Sequence, residues 1–193
     1  SQAASEQPEV TTITETKGEN TNTHTAVQAI SQNIVASAQE MTDVSQQVIA
    51  DNIAKKEEEE RLAKEKAEQE AQEKAEREAR EAYVRANQEL MASIIYCEAG
   101  NQPYEGQVAV GAVIMNRVKS GCYPNSIEEV IYQSGQFGPA ATGWLNRVRS
   151  SKGYSQTALQ AAVDALNGSN PIGSCLYFDQ GGAGMKIGAH YFH

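Results

Sequence analysis

The chain has 193 residues, 25 acidic against 16 basic side chains, a formal net charge of -9 and 40% hydrophobic residues. That is enough for one ordinary domain with an appendage. The acidic balance leaves no basic footprint for nucleic acid, and no run approaches the roughly 18 to 20 apolar residues of a membrane-spanning helix.

Charge divides the chain. Residues 1–54 hold seven acidic and one basic side chain, residues 55–85 eleven and nine, and residues 86–193 seven and six. Residues 1–25 are rich in Thr, Glu, Gln and Asn with little to bury, and are expected to form a disordered tail. The opening run SQAASEQPE is compatible with what remains after a signal peptide is removed, so an extracellular or wall-associated location is an expectation. Residues 26–54 place Val27, Ile30, Ile34, Val44, Val48, Ile49 and Ile53 at mixed helical spacings. A helical segment is expected there, without a defined partner.

Residues 55–85 predict a charged helix. Pairs such as Glu57 and Arg61, Glu60 and Lys64, and Glu70 and Lys74 set an acid four residues before a base, the favourable orientation. Its alanines, Ala63, Ala67, Ala71, Ala75 and Ala79, recur every four residues. Each such step advances about 40° around a helix of 3.6 residues per turn, so the stripe drifts instead of forming a seam. The rod is expected to be a monomeric, solvated spacer and not a coiled-coil oligomer.

Residues 86–193 read as one compact domain, mainly α with a small β-hairpin. A first helix ends at Glu98, before Gly100 and Pro103. EGQVAVGAVIMNRVK, residues 105–119, is apolar almost all round and predicts a central buried helix. NSIEEVIYQ starts a short third helix with Ser126 and Glu129 in capping-box register, followed by the loop SGQFGPAATG and a short amphipathic piece after Trp144. Ser155 caps a further helix that stops at Asn167 and Gly168. CLYFD and MKIGAHYFH read as the two strands of a hairpin around QGGAG.

Glu98 is the residue out of place. Ile95, Ile94 and Met91 precede it by three, four and seven positions, so its carboxylate lies on their apolar face. Burial and the negative potential of a helix C-terminus both disfavour its ionised form, which predicts the raised pKa of a general acid. The competing reading is an ordinary helix carboxylate neutralised by Arg117. Glu128 and Glu129 suit a helix N-terminus, Glu89 lies near the rod, and Asp164 stands among alanines without a motif. Glu105 reads as a first-turn residue and Asp179 as a weaker site candidate.

Cys97 lacks a helix N-terminus or cation to activate it and reads as a core residue. A bridge between Cys122 and Cys175 would suit an exported chain, although spacing alone does not bring two thiols within reach. His24, His190 and His193 have no metal-ligand spacing, so no metal and no cofactor are expected.

The segments IYCEA, EGQVAVGAVIMNRV, YPNSIEEVIYQ and IGAHYFH together resemble the SleB/CwlJ-type cell wall hydrolase family of spore cortex-lytic enzymes, over about residues 90–193. The resemblance implies a fold similar to lytic transglycosylases and goose-type lysozymes, with peptidoglycan as the partner. It also implies glycan-strand cleavage with Glu98 as the single catalytic glutamate. By the same resemblance Gln136 and Phe137 would line the saccharide groove. Tyr177 and His190, from their place on the expected hairpin, would either supply a stacking ring and a hydrogen bond or simply pack. A second carboxylate, Asp179 or Glu105, would instead point to hydrolysis. From another class, a non-catalytic wall-binding or assembly protein would keep the fold without activity.

Overall fold

The computed structural model describes residues 19–193, with side chains from residue 22 onward. Most of the expected tail, residues 1–18, lies outside the described residues; residues 19–25 are helical. Helix α1 runs unbroken over Glu19–Ala99. The sequence reading divided this stretch into three segments, yet neither glycine nor proline occurs between Gly18 and Gly100. Without a breaker, each segment's backbone hydrogen bonds continue into the next.

Two compact units divide within α1, at Glu68 and Gln69. In the first, every described side chain is exposed, so the helix there rests on propensity and on pairs such as Arg61 with Glu58 and Glu65, both 2.5 Å. The second unit holds the core, which begins at Val84.

Helix α2, Tyr104–Lys119, is the centre of that core, with every residue from Gly106 to Met115 buried. This meets the expectation of an element apolar on all sides. Gly111 explains how α2 packs so closely. A Cβ there would lie 2.7 Å from the Ala165 Cβ and 3.1 Å from the Ile95 Cδ1, so only glycine lets α2 meet both neighbours. Ala165 belongs to α6, Gln156–Leu166, whose N-cap Ser155 accepts from the Ala158 N–H at 3.0 Å.

Between them, α3 (Ile127–Tyr132) starts at the expected cap: Ser126 accepts from the Glu129 N–H at 3.2 Å and donates to its carboxylate at 2.7 Å. The expected loop SGQFGPAATG contains a one-turn helix α4, Gly138–Thr142, with proline in its first turn. Gly143, at φ 80°, separates it from α5, Trp144–Ser151.

The expected antiparallel pairing of CLYFD with MKIGAHYFH is present, and the second run itself folds into two strands, so the β element is a three-stranded sheet. Strands β1 (Phe178–Asp179), β2 (Met185–Ile187) and β3 (His190–Phe192) lie in the order β1-β3-β2. Gly188, at φ 61°, breaks MKIGAHYFH with a two-residue turn, and Ile187 pairs with His190 across it. The chain then returns so that β3 also pairs with β1, Phe178 opposite Phe192.

Candidate active site

Glu98 occupies the last turn of α1, one residue before its end at Ala99. Met91, Ile94 and Ile95 are fully buried, and Glu98 is half-buried where that apolar face reaches solvent. Burial raises its pKa above the usual carboxylate value.

The competing pairing with Arg117 is not formed. Arg117 is itself buried on α2, donating from Nε to the Leu176 carbonyl at 2.8 Å and from Nη1 to the Gln136 Oε1 at 2.9 Å. Its guanidinium also lies 4.9 to 5.4 Å from the ring centres of Tyr123, Phe137 and Tyr177. Its donors are thus engaged away from Glu98.

The other carboxylates of residues 86–193 have structural occupations. Glu89 pairs with Lys152 at 3.0 Å and Glu128 with Arg149 at 3.7 Å, while Glu129 serves the α3 cap. Asp164 accepts from the Tyr104 hydroxyl and from Gln160, tying α2 to α6. Asp179 is exposed and held below the usual carboxylate range, by His193 Nε2 at 3.0 Å and then by the Gly181 N–H at 2.7 Å. Glu105 is exposed in the first turn of α2. Among the described residues, Glu98 alone combines an apolar setting, a raised pKa and a carboxylate without a hydrogen-bonded or ion-paired partner.

The turn after Glu98 is pinned from two sides. Gly100 N–H donates to the Tyr96 carbonyl at 3.0 Å and Gln102 N–H to the Ala99 carbonyl at 2.9 Å, using two of the last four carbonyl acceptors of α1. The Gln102 Oε1 accepts from the Ala189 N–H at 2.8 Å, and its carbonyl accepts from Gln107 at 3.1 Å. The tip of the β2–β3 turn is thereby fixed to the turn that follows the acid. Gly188 tolerates this approach because a Cβ there would lie 2.5 Å from the Gln102 Oε1.

Beside this turn is a cavity of about 360 Å³ lined by Tyr96, Cys97, Gly100, Asn101 and Trp144. Trp144, the single tryptophan, is 41% exposed. No sequence motif marked it; the available signal was a lone aromatic directly after a glycine that stops a helix. Cys97 is held up to about 11 by burial and then by Glu98, so it is a thiol and not a nucleophile. A larger cavity of about 840 Å³ lies among α1, α2 and α6, lined by residues that include Arg77, Tyr83, Met115 and Leu166. Tyr83 is fifteen residues before Glu98, roughly 22 Å along the helix, so this cavity is separate from the acid.

The residues expected to bind saccharide are distributed differently from the sequence reading. Gln136 is exposed but bonded to Arg117. Phe137 is 3% exposed, packed in the core with its ring 6.3 Å from Phe178, which corrects its expected place in the groove. His190 is also buried, with its ring 5.1 Å from Phe178. Burial lowers its pKa, and its Nδ1 has no hydrogen-bond partner. Tyr177 is exposed, stacked on His193 at 5.6 Å. The bridge between Cys122 and Cys175 is not formed: both are free thiols, Cys122 exposed in the loop after α2 and Cys175 packed against the core. Among the described residues, no group of three His, Cys, Asp or Glu side chains is placed to hold a metal ion.

The family model described as cell wall hydrolase matches residues 101–192. The catalytic domain of the Bacillus cereus SleB protein is 36% identical, covering 57% of this chain and 91% of that domain, with a TM-score of 0.50. The chain belongs to the cell wall hydrolase family. Spore cortex-lytic enzymes of Bacillus cereus and Bacillus subtilis are each 40% identical, over 96 and 89 residues, or 50% and 46% of this chain. Those matches take in 35% and 28% of the two relatives, so the chain spans about a third of the length of the curated relatives it matches. The family match begins three residues after Glu98, which leaves the role of that carboxylate to its own geometry.

Proposed function

We propose that this cell wall hydrolase cleaves the glycan strands of peptidoglycan, with Glu98 as both acid and base. The observation that carries this reading is the unpaired, half-buried carboxylate of raised pKa at the end of α1, in a domain whose other carboxylates are paired, capping or exposed. In its protonated form Glu98 gives its proton to the glycosidic oxygen as the bond to C1 of N-acetylmuramic acid breaks. The resulting carboxylate takes the proton of the same sugar's 6-hydroxyl, whose oxygen closes onto C1. The products are a 1,6-anhydromuramic end and a free hydroxyl on the departing sugar, and Glu98 is restored to its acid form. Water does not enter, so a second carboxylate is unnecessary.

Trp144 supplies the apolar face on which a sugar ring stacks, and Tyr177 supplies a second exposed ring. The spore cortex and the vegetative wall share this glycan chemistry, and both are candidate substrates. A hydrolytic variant of the reaction would need a second carboxylate to activate water, and Asp179, exposed but bonded to His193, is the candidate for it. Mass spectrometry of the released fragments separates the two. The transglycosylase reading expects 1,6-anhydromuramic ends, and reducing muramic acid ends would replace it with hydrolysis.

A further inference from the structure

We infer that residues 27–48 form a coiled-coil seam whose occupant is the same segment of further copies of this chain. Val27, Ile30, Ile34, Ser37, Met41, Val44 and Val48 follow one another by alternating steps of three and four. That 3.5-residue repeat over three heptads keeps one stripe facing a partner as helices supercoil, in contrast to the four-residue alanine repeat of the rod. The continuous α1 puts all seven on a single helix, and the six large ones are between 52% and 74% exposed. An apolar stripe of this kind on a lone helix has nothing to bury against. Shallow grooves already run along it, one of about 440 Å³ beside Ile30, Ile34 and Met41 and the next of about 460 Å³ beside Met41 and Ser45.

The flanks point to self-association. Paired in parallel and in register, identical helices set Asn33 beside Ala38, Glu40 beside Ser45 and Gln47 beside Asn52, so no like charges meet. Ser37 then meets Ser37 of the other copy, a polar layer that holds the register. The seam stops where the next positions are Asp51 and Lys55, which would repel their own copies. Val35, Ile49 and Ile53 fall outside it. Ile30 and Val44 stand where leucine would favour two strands, so a second or a third copy satisfies the pattern. Six large side chains per strand would bury on the order of 1000 Å² in a pair, near the lower edge of specific interfaces. The association is therefore reversible and concentration-dependent.

Sedimentation equilibrium of the full chain tests this without reference to activity. The expected mass is two or three times that of one chain at on the order of 100 µM, falling on dilution as a weak interface must. Because the seam is neutral, about 0.5 M salt, which screens charges beyond a few ångströms, leaves that mass unchanged. Ile34→Lys with Val44→Lys yields a monomer of unchanged helicity per residue at low concentration, since lysine is a good helix former. Gln32→Lys with Gln39→Lys, on the opposite face, retains the assembly. A monomeric wild-type chain at every concentration would overturn the inference and leave the seam to a helix of another protein. An assembly that survives Ile34→Lys with Val44→Lys, or that salt dissolves, would also overturn it by placing the contact elsewhere.

Discussion

Glu98 is subject to opposed demands. Burial that favours the protonated form, which the proposed role needs, also penalises the folded state whenever the carboxylate must ionise. Its folded pKa lies above the unfolded value, so the folded protein binds more protons between the two. Its contribution to stability is fully present below the unfolded pKa of about 4.3 and is lost as pH rises through the folded value. Glu98→Gln removes that penalty. The expected outcome is a higher melting temperature for Glu98→Gln than for wild type at pH 7, with the difference closing below about pH 4, read by thermal denaturation across pH. Catalysis limited by the protonated acid should fall with rising pH through the same folded value in a pH–rate profile. Trp144→Ala should leave the fold intact and weaken substrate use by on the order of 10- to 100-fold, in line with the loss of one stacking ring. A binding assay with soluble glycan fragments would show the loss as affinity.

At the scale of elements, Gly111 and Arg117 hold the site's frame. Gly111→Ala gains about 1 kcal/mol of helix propensity but drives a methyl into Ala165 and Ile95, and overpacking costs about 1–3 kcal/mol. A net loss of stability is expected in denaturant unfolding. Arg117→Met leaves the Leu176 carbonyl and Gln136 without their donor, at about 1–3 kcal/mol, and should loosen the approach to β1 more than α6 in hydrogen exchange. These elements were legible to different degrees. The caps at Ser126 and Ser155 and the all-round apolar α2 were readable, because side-chain type and local spacing decide them. The third strand was not, since Gly188 breaks a run whose composition is uniformly strand-like. Phe137 was misplaced because a loop position says nothing about which way its ring turns, and here it turns inward onto Phe178.

Across the whole molecule, the apolar face leading to Glu98 was plain in the sequence, as was the change in composition near residue 86. The continuity of α1 was obscured by three successive compositions that share one backbone state. The described residues before the second unit have no core of their own, so their helix should melt gradually while the second unit unfolds cooperatively. Far-UV circular dichroism and Trp144 fluorescence, followed together on heating, should give transitions that do not coincide. The most direct measurement of the proposed activity is the release of muropeptides from purified peptidoglycan by wild type and Glu98→Gln side by side, with matched circular dichroism spectra. The expected result is anhydromuramic fragments from wild type and a loss of at least about 100-fold in Glu98→Gln, the scale of a missing acid and base. Equal release by a folded Glu98→Gln protein would contradict the assignment of Glu98.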